Sequence, residues 1–93
     1  MFIKLLTVDM FIPESRSLKQ KRAVIKSLKD KLRQRFNISI SEIDHNDLWQ
    51  RTEFAILAVS NKEDKVFSVL QNSINLIENE HRIHILKYNI ESL

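Results

Sequence analysis

The stretch SLKQKRAVIKSLKDKLRQRFN, Ser17 to Asn37, decides how the rest of the chain is read. Leu18, Ile25, Leu28, Leu32 and Phe36 recur at helical spacing. Ser17 followed by Gln20 has the form of a capping box, in which two side chains satisfy N–H groups left free at a helix start. The spacing predicts a helix over about residues 18 to 35, with Asn37 as a left-handed stop where Gly would be more usual. A helix here separates one strand-like segment from two others, and that order limits the fold.

Before the helix, residues 2 to 12 alternate, with Phe2, Leu6, Val8, Met10 and Ile12 on one side and Ile3, Leu5 and Phe11 on the other, until Pro13 ends the run. After it, NISISEID reads as a short strand and TEFAILAVS as a more apolar one. The turn between them is expected in His45-Asn46-Asp47, where Asn and Asp best tolerate a positive φ in a chain without Gly. Ser60 and Glu63 form a second capping-box pair ahead of Val66, Phe67, Leu70, Ile74 and Ile77, which predicts a helix over about residues 62 to 80. RIHILKYNI then supplies the last strand. The order βαββαβ in 93 residues predicts one α+β domain, 1–93, with the ferredoxin-like split βαβ: a four-stranded antiparallel sheet in the order 4-1-3-2 and both helices on one face.

Composition excludes several chemistries. The chain has no Cys, hence no disulfide, thiolate nucleophile or thiolate metal site. It has no Gly, which removes the phosphate-cradling loops and dinucleotide fingerprints that need one. An RNA-recognition motif would display aromatics mid-sheet beside a Gly-aromatic signature, and IKLLTVD with TEFAILAVS does not. Acylphosphatase-like chemistry would need a glycine-rich loop bearing Arg. Lys4 and Asp9 interrupt the apolar N-terminus and no small-residue cleavage site follows, so neither a signal peptide nor a membrane span is expected. The expectation is a cytoplasmic protein with no cofactor and no membrane partner.

Charge is unevenly placed. Arg16 to Arg35 holds nine cations against one acid, Asp30, or +8; the remaining residues hold six cations against eleven acids, or −5, and the two sum to the formal +3. At about 100° per residue, Lys29, Arg22, Arg33, Lys26 and Lys19 fall at about 20°, 40°, 60°, 80° and 100° from Leu18, a stripe beside the apolar arc. Its length of about 21 Å could follow several phosphates of a nucleic acid, although a solvated helix face with long cationic stems gives the same pattern. Lys21 falls at about 300°, inside the apolar arc, so it should be at least half buried against a carboxylate, with Asp9 and Glu42 as candidates. On that basis Lys21→Met should be tolerated and loss of the acid alone should not be.

Glu42, Asp44, Asp47 and His45 are metal-ligating types, but strand alternation and the turn scatter them, and no metal site is expected. Trp49, the one Trp, is expected to plug the hairpin rather than to stack on a base. His81 and His84 read as surface or edge residues.

SLKQKRAVIKSL after a strand ending in Ile-Pro, then EIDHNDLWQR, then an apolar strand ending in VSN, resembles the YlxP-like family of small bacterial proteins over nearly the whole chain. The resemblance implies a ferredoxin-like fold and a cytoplasmic protein often encoded near genes for translation and ribosome maturation. It implies no catalytic or ligand residue.

Together these features point to a non-enzymatic protein that contacts RNA or the ribosome through Lys19, Arg22, Lys26, Lys29 and Arg33, with no catalytic residue. The alternative is a protein interaction module, or a homodimeric scaffold, whose basic face meets an acidic protein. A homodimer through the open sheet face is expected in addition. Strands 1, 3 and 4 each carry apolar residues of both parities, Leu86, Tyr88 and Ile90 against Ile83 and Ile85 on the last, while helices cover one face only.

Overall fold

The computed structural model describes residues 1–93. Its elements are β1 (Phe2–Phe11), α1 (Leu18–Arg35), β2 (Ser39–Asp44), β3 (Arg51–Ser60), α2 (Glu63–Glu78) and β4 (His84–Ser92), in the order expected. The sheet runs β2-β3-β1-β4 and every pairing is antiparallel. This is the ferredoxin-like sandwich. The two most apolar strands, β1 and β3, are central and pair without interruption from Phe2↔Ser60 to Phe11↔Arg51.

Alternation sorts the side chains of the sheet. Leu6, Val8, Met10, Phe54, Ile56 and Ala58 face the helices and are buried, together with Ile25, Leu28 and Leu32 of α1 and Val66, Leu70, Ile74 and Ile77 of α2. The α1 start follows the capping box: Ser17 Oγ accepts from the Gln20 N–H at 3.1 Å, and Gln20 Oε1 accepts from the Arg16 N–H at 2.7 Å.

Three local expectations are corrected. Helix α1 ends at Phe36 in an extended conformation (φ −132°) rather than at a left-handed Asn37, and the one positive φ belongs to His45 at 63°. Asp44 Oδ1 accepts from the His45 N–H at 2.7 Å and so steadies that residue in the turn. The Ser60–Glu63 capping box does not form, because α2 begins two residues too late for it: Lys62 is the N-cap, and Ser60 Oγ instead accepts from the Lys62 N–H at 3.2 Å.

The third correction concerns β4. Its pairing with β1 shifts between Asp9 and Met10, so Leu6 meets Ile90 while Met10 meets Ile85, and Leu86 is the unpaired bulge residue. One extra residue inverts the side-chain parity along the strand. Ile83, Ile85 and Ile90, of mixed parity in sequence, therefore all join the one core. The last strand does not supply an apolar row to the open face. A second bulge lies in β2 between Glu42 and Asp44, so both edge strands carry one.

Candidate nucleic-acid interface

Lys21 is 0% exposed and its ammonium has three partners: Glu42 Oε2 at 3.0 Å and the carbonyl oxygens of His45 and Asn46 at 2.5 and 3.2 Å. A lysine has three N–H donors, and here each has an acceptor. Glu42 Oε2 also accepts from the buried Thr52 hydroxyl at 2.6 Å. The network ties α1 to the β2–β3 hairpin, and of the two candidate acids Glu42 is the partner.

Asp9 is engaged elsewhere. Its two oxygens both accept from Arg51 Nη2, at 2.9 and 2.8 Å, on the sheet face opposite the helices. The same Nη2 lies 3.4 Å from His45 Nε2, and the register that pairs Asp9 with Glu53 completes a cluster in which Asp9, His45 and Glu53 bring one ligand atom each within 4.8 Å of one another. These are not the acids that sequence proximity groups with His45, since Glu42 serves Lys21 from the helix side. Arg51 already supplies a cation to this cluster, so the geometry is that of an ion-pair network. Arg51 Nε, buried and without an acceptor, has no explanation in the surrounding contacts.

The five stripe residues occupy one flank of α1, and three contacts fix which flank it is. Glu42 of β2 holds Lys21, the Ile40 carbonyl of β2 accepts from Arg33 Nη2 at 3.3 Å, and Lys29 Nζ stands 5.6 Å from the centroid of the Phe54 ring in β3. The stripe thus runs along the β2 side of the molecule. Lys19, Arg22 and Lys26 are exposed, and Lys26 pairs with Asp30 at 2.9 Å. The opposite flank is used for packing: Lys31 Nζ reaches Glu80 Oε2 at 3.3 Å, and Arg82 binds both oxygens of the same buried carboxylate. Hydrogen bonds from Arg82 hold the Glu80 carboxyl at about 2, against the upward push of burial and with the help of Lys31. Of nine cations between Arg16 and Arg35, three (Lys21, Lys26 and Lys31) have a carboxylate within 4.0 Å, which leaves six without one.

The hairpin loop differs from expectation. Trp49 is 54% exposed rather than packed, and Leu48 beside it and Ile43 in β2 are each about half exposed. The loop is nevertheless held from both ends. Gln50 Nε2 donates to the carbonyls of Pro13 and Ser15, both at 3.1 Å, the Gln50 carbonyl accepts from the Ile12 N–H at 2.8 Å, and Lys21 grips His45 and Asn46. His81 and His84 are exposed, as expected. No helix is long and apolar enough to cross a membrane.

Residues 3–90 match the family described as Protein of unknown function (DUF503). The Bacillus subtilis (strain 168) protein described as Uncharacterized protein YlxP is 41% identical over 70 residues, which are 75% of this chain and 76% of that one. A de novo designed protein with a ferredoxin fold, solved in solution by NMR, aligns over 100% of this chain and 84% of its own with a TM-score of 0.57 at 14% identity, a likeness of fold alone.

Proposed function

We propose, for a chain that belongs to the DUF503 family of proteins of unknown function, a non-enzymatic role in binding RNA, free or within the ribosome, through the β2-side flank of α1. The observation that carries this is that Lys19, Arg22, Lys29 and Arg33, on that flank of a helix with one acid, are among six cations from Arg16 to Arg35 without a carboxylate partner. Like charges fixed at helical spacing repel one another by a few tenths of a kcal/mol per pair, and a polyanion removes that repulsion while its own counterions are released. The fold uses Lys21 and Lys31. It makes no such use of Lys19 and Arg22, while Lys29 and Arg33 meet a ring and a carbonyl and keep their charge uncompensated. The Lys26–Asp30 pair is exposed and worth about 0.5 kcal/mol, so it yields readily to a phosphate.

The test is the salt dependence of binding by the purified protein. Five contacts to a single strand give a slope of log affinity against log salt near −3.5, from about 0.7 per contact. Lys19→Gln with Arg22→Gln should flatten it to about −2. Lys62→Gln with Lys65→Gln, at the start of α2, is the control for net charge and should leave it unchanged. Equal weakening by both pairs means diffuse attraction, and no binding at low salt removes the proposal in favour of an acidic protein partner.

A second copy of the chain on the open sheet face is favoured by a separate observation. Ile3 pairs with Val59 and Leu5 with Leu57 across β1 and β3 on the side the helices do not cover, and Val59 is 58% exposed.

A further inference from the structure

We infer that the β2–β3 hairpin loop is a base-stacking platform, on which the indole of Trp49 takes one unstacked base of a single-stranded RNA whose phosphates run along Lys19 and Arg22. This rests on the reading of α1 proposed above and extends it to the class of nucleic acid and the group that meets its bases.

Three observations converge on the loop. First, Leu48 and Trp49 line one shallow cavity and each is about half exposed, an apolar surface that the core does not cover. Second, the loop is clamped by Gln50 and Lys21, and the Leu48 N–H donates to the His45 carbonyl at 3.1 Å, so the ring stands on a braced support. A pre-positioned ring forfeits little entropy on binding. Third, α1 runs back along β2, with Lys21 at the hairpin end and Arg33 at the Ile40 end, so the first turns of α1, which bear Lys19 and Arg22, arrive at this loop. Asp47, Leu48, Trp49, Gln50 and Arg51 line a shallow cavity of about 390 Å³ there, open to solvent.

An exposed aromatic ring in a cavity shared by Arg51 and one acid, Asp47, next to a helix start that carries Lys19 and Arg22, suits a ligand that has both flat apolar faces and repeated negative charge. Nucleic acid has both. In a duplex the base faces are already stacked on one another, so an external ring can take only an unpaired base. An acidic protein segment would match the cations but offers the ring no repeating flat partner.

The experiment uses Trp49 as its own probe, since the chain has one Trp. Oligouridylate about eight nucleotides long should quench its emission saturably, along the same curve as binding followed by anisotropy. Inorganic polyphosphate of matched charge should compete for the protein without quenching. Trp49→Ala should weaken oligouridylate about tenfold with an unchanged salt slope and leave polyphosphate binding untouched; Trp49→Phe should recover most of the loss. A purely structural role for the ring would weaken both ligands and lower thermal stability, which overturns the inference. Oligouridylate that binds without quenching, and to Trp49→Ala as to the parent, overturns it while the α1 proposal stands. Failure of both ligands to bind overturns the two together. A blue shift of emission with protein concentration alone assigns the ring to self-association, which also overturns it.

Discussion

Lys21 and Glu42 form a pair that neither residue can leave without stranding the other. Lys21→Met removes the donor to Glu42 and to two carbonyls at once, so it should destabilise by about 3 kcal/mol, not be tolerated as the helix phase alone suggests. Glu42→Gln should lose less, because an amide oxygen can still accept from both Lys21 and Thr52. The double change Lys21→Met with Glu42→Leu should recover most of the loss, and a double-mutant cycle by denaturant unfolding measures the coupling. Glu80 makes the second residue-scale prediction. Its folded value, about 2, lies below its ordinary 4.5, so its stabilising contribution is complete above pH 4.5 and is lost as pH falls toward 2. Of order 3 kcal/mol should disappear across that window. Denaturant curves at stepped pH should show the loss, and Glu80→Gln, less stable at neutral pH, should show much less of it.

At the scale of elements, α1 and the hairpin were legible in the sequence to different degrees. The helix phase placed Lys21 in the buried arc, because 3.6-residue periodicity converts directly into burial when the opposite face is charged. The capping box of α1 was equally legible, and Ser17→Ala should lower stability by about 1 kcal/mol, with the loss visible in a thermal melt. Periodicity stops at the end of β2, so nothing local told an exposed Trp49 from a packed one. The cluster of Asp9, Arg51, His45 and Glu53 depends on a register between strands more than forty residues apart in sequence, with a bulge on either side. Its signal was Asp9 itself, a carboxylate in an apolar strand that must find a cation. Arg51 and Lys21 were both compatible with that requirement until the face of each strand was known. The bulge at Leu86 was silent for the same reason, since a parity change reads in sequence as two apolar faces.

For the whole molecule, that bulge reduces the uncovered apolar surface to a block on the two central strands. Ile3↔Val59 and Leu5↔Leu57 are direct cross-strand neighbours, while Asp9, Glu53, Arg51 and Lys87 occupy the other end of the same face. A twofold axis along the strands, between β1 and β3, would set block on block, so one apolar face closes the contact on itself. The expected outcome is a dimer, with a light-scattering mass near twice 11.1 kDa at tens of micromolar. Leu57→Lys should return a folded monomer, because this side chain is outside the buried core, and its melting temperature should lose the dependence on protein concentration that the dimer shows. Such a dimer carries its two α1 helices on opposite outer faces, which adds a consequence for RNA. A short oligonucleotide reaches one helix and should bind Leu57→Lys as it binds the parent. A long strand that bridges both should bind the parent more tightly, by an effective-concentration gain that the monomer lacks. A parent protein that scatters as a monomer removes the dimer, and equal binding of long RNA by both forms removes the bivalent arrangement while leaving the contact on each helix intact.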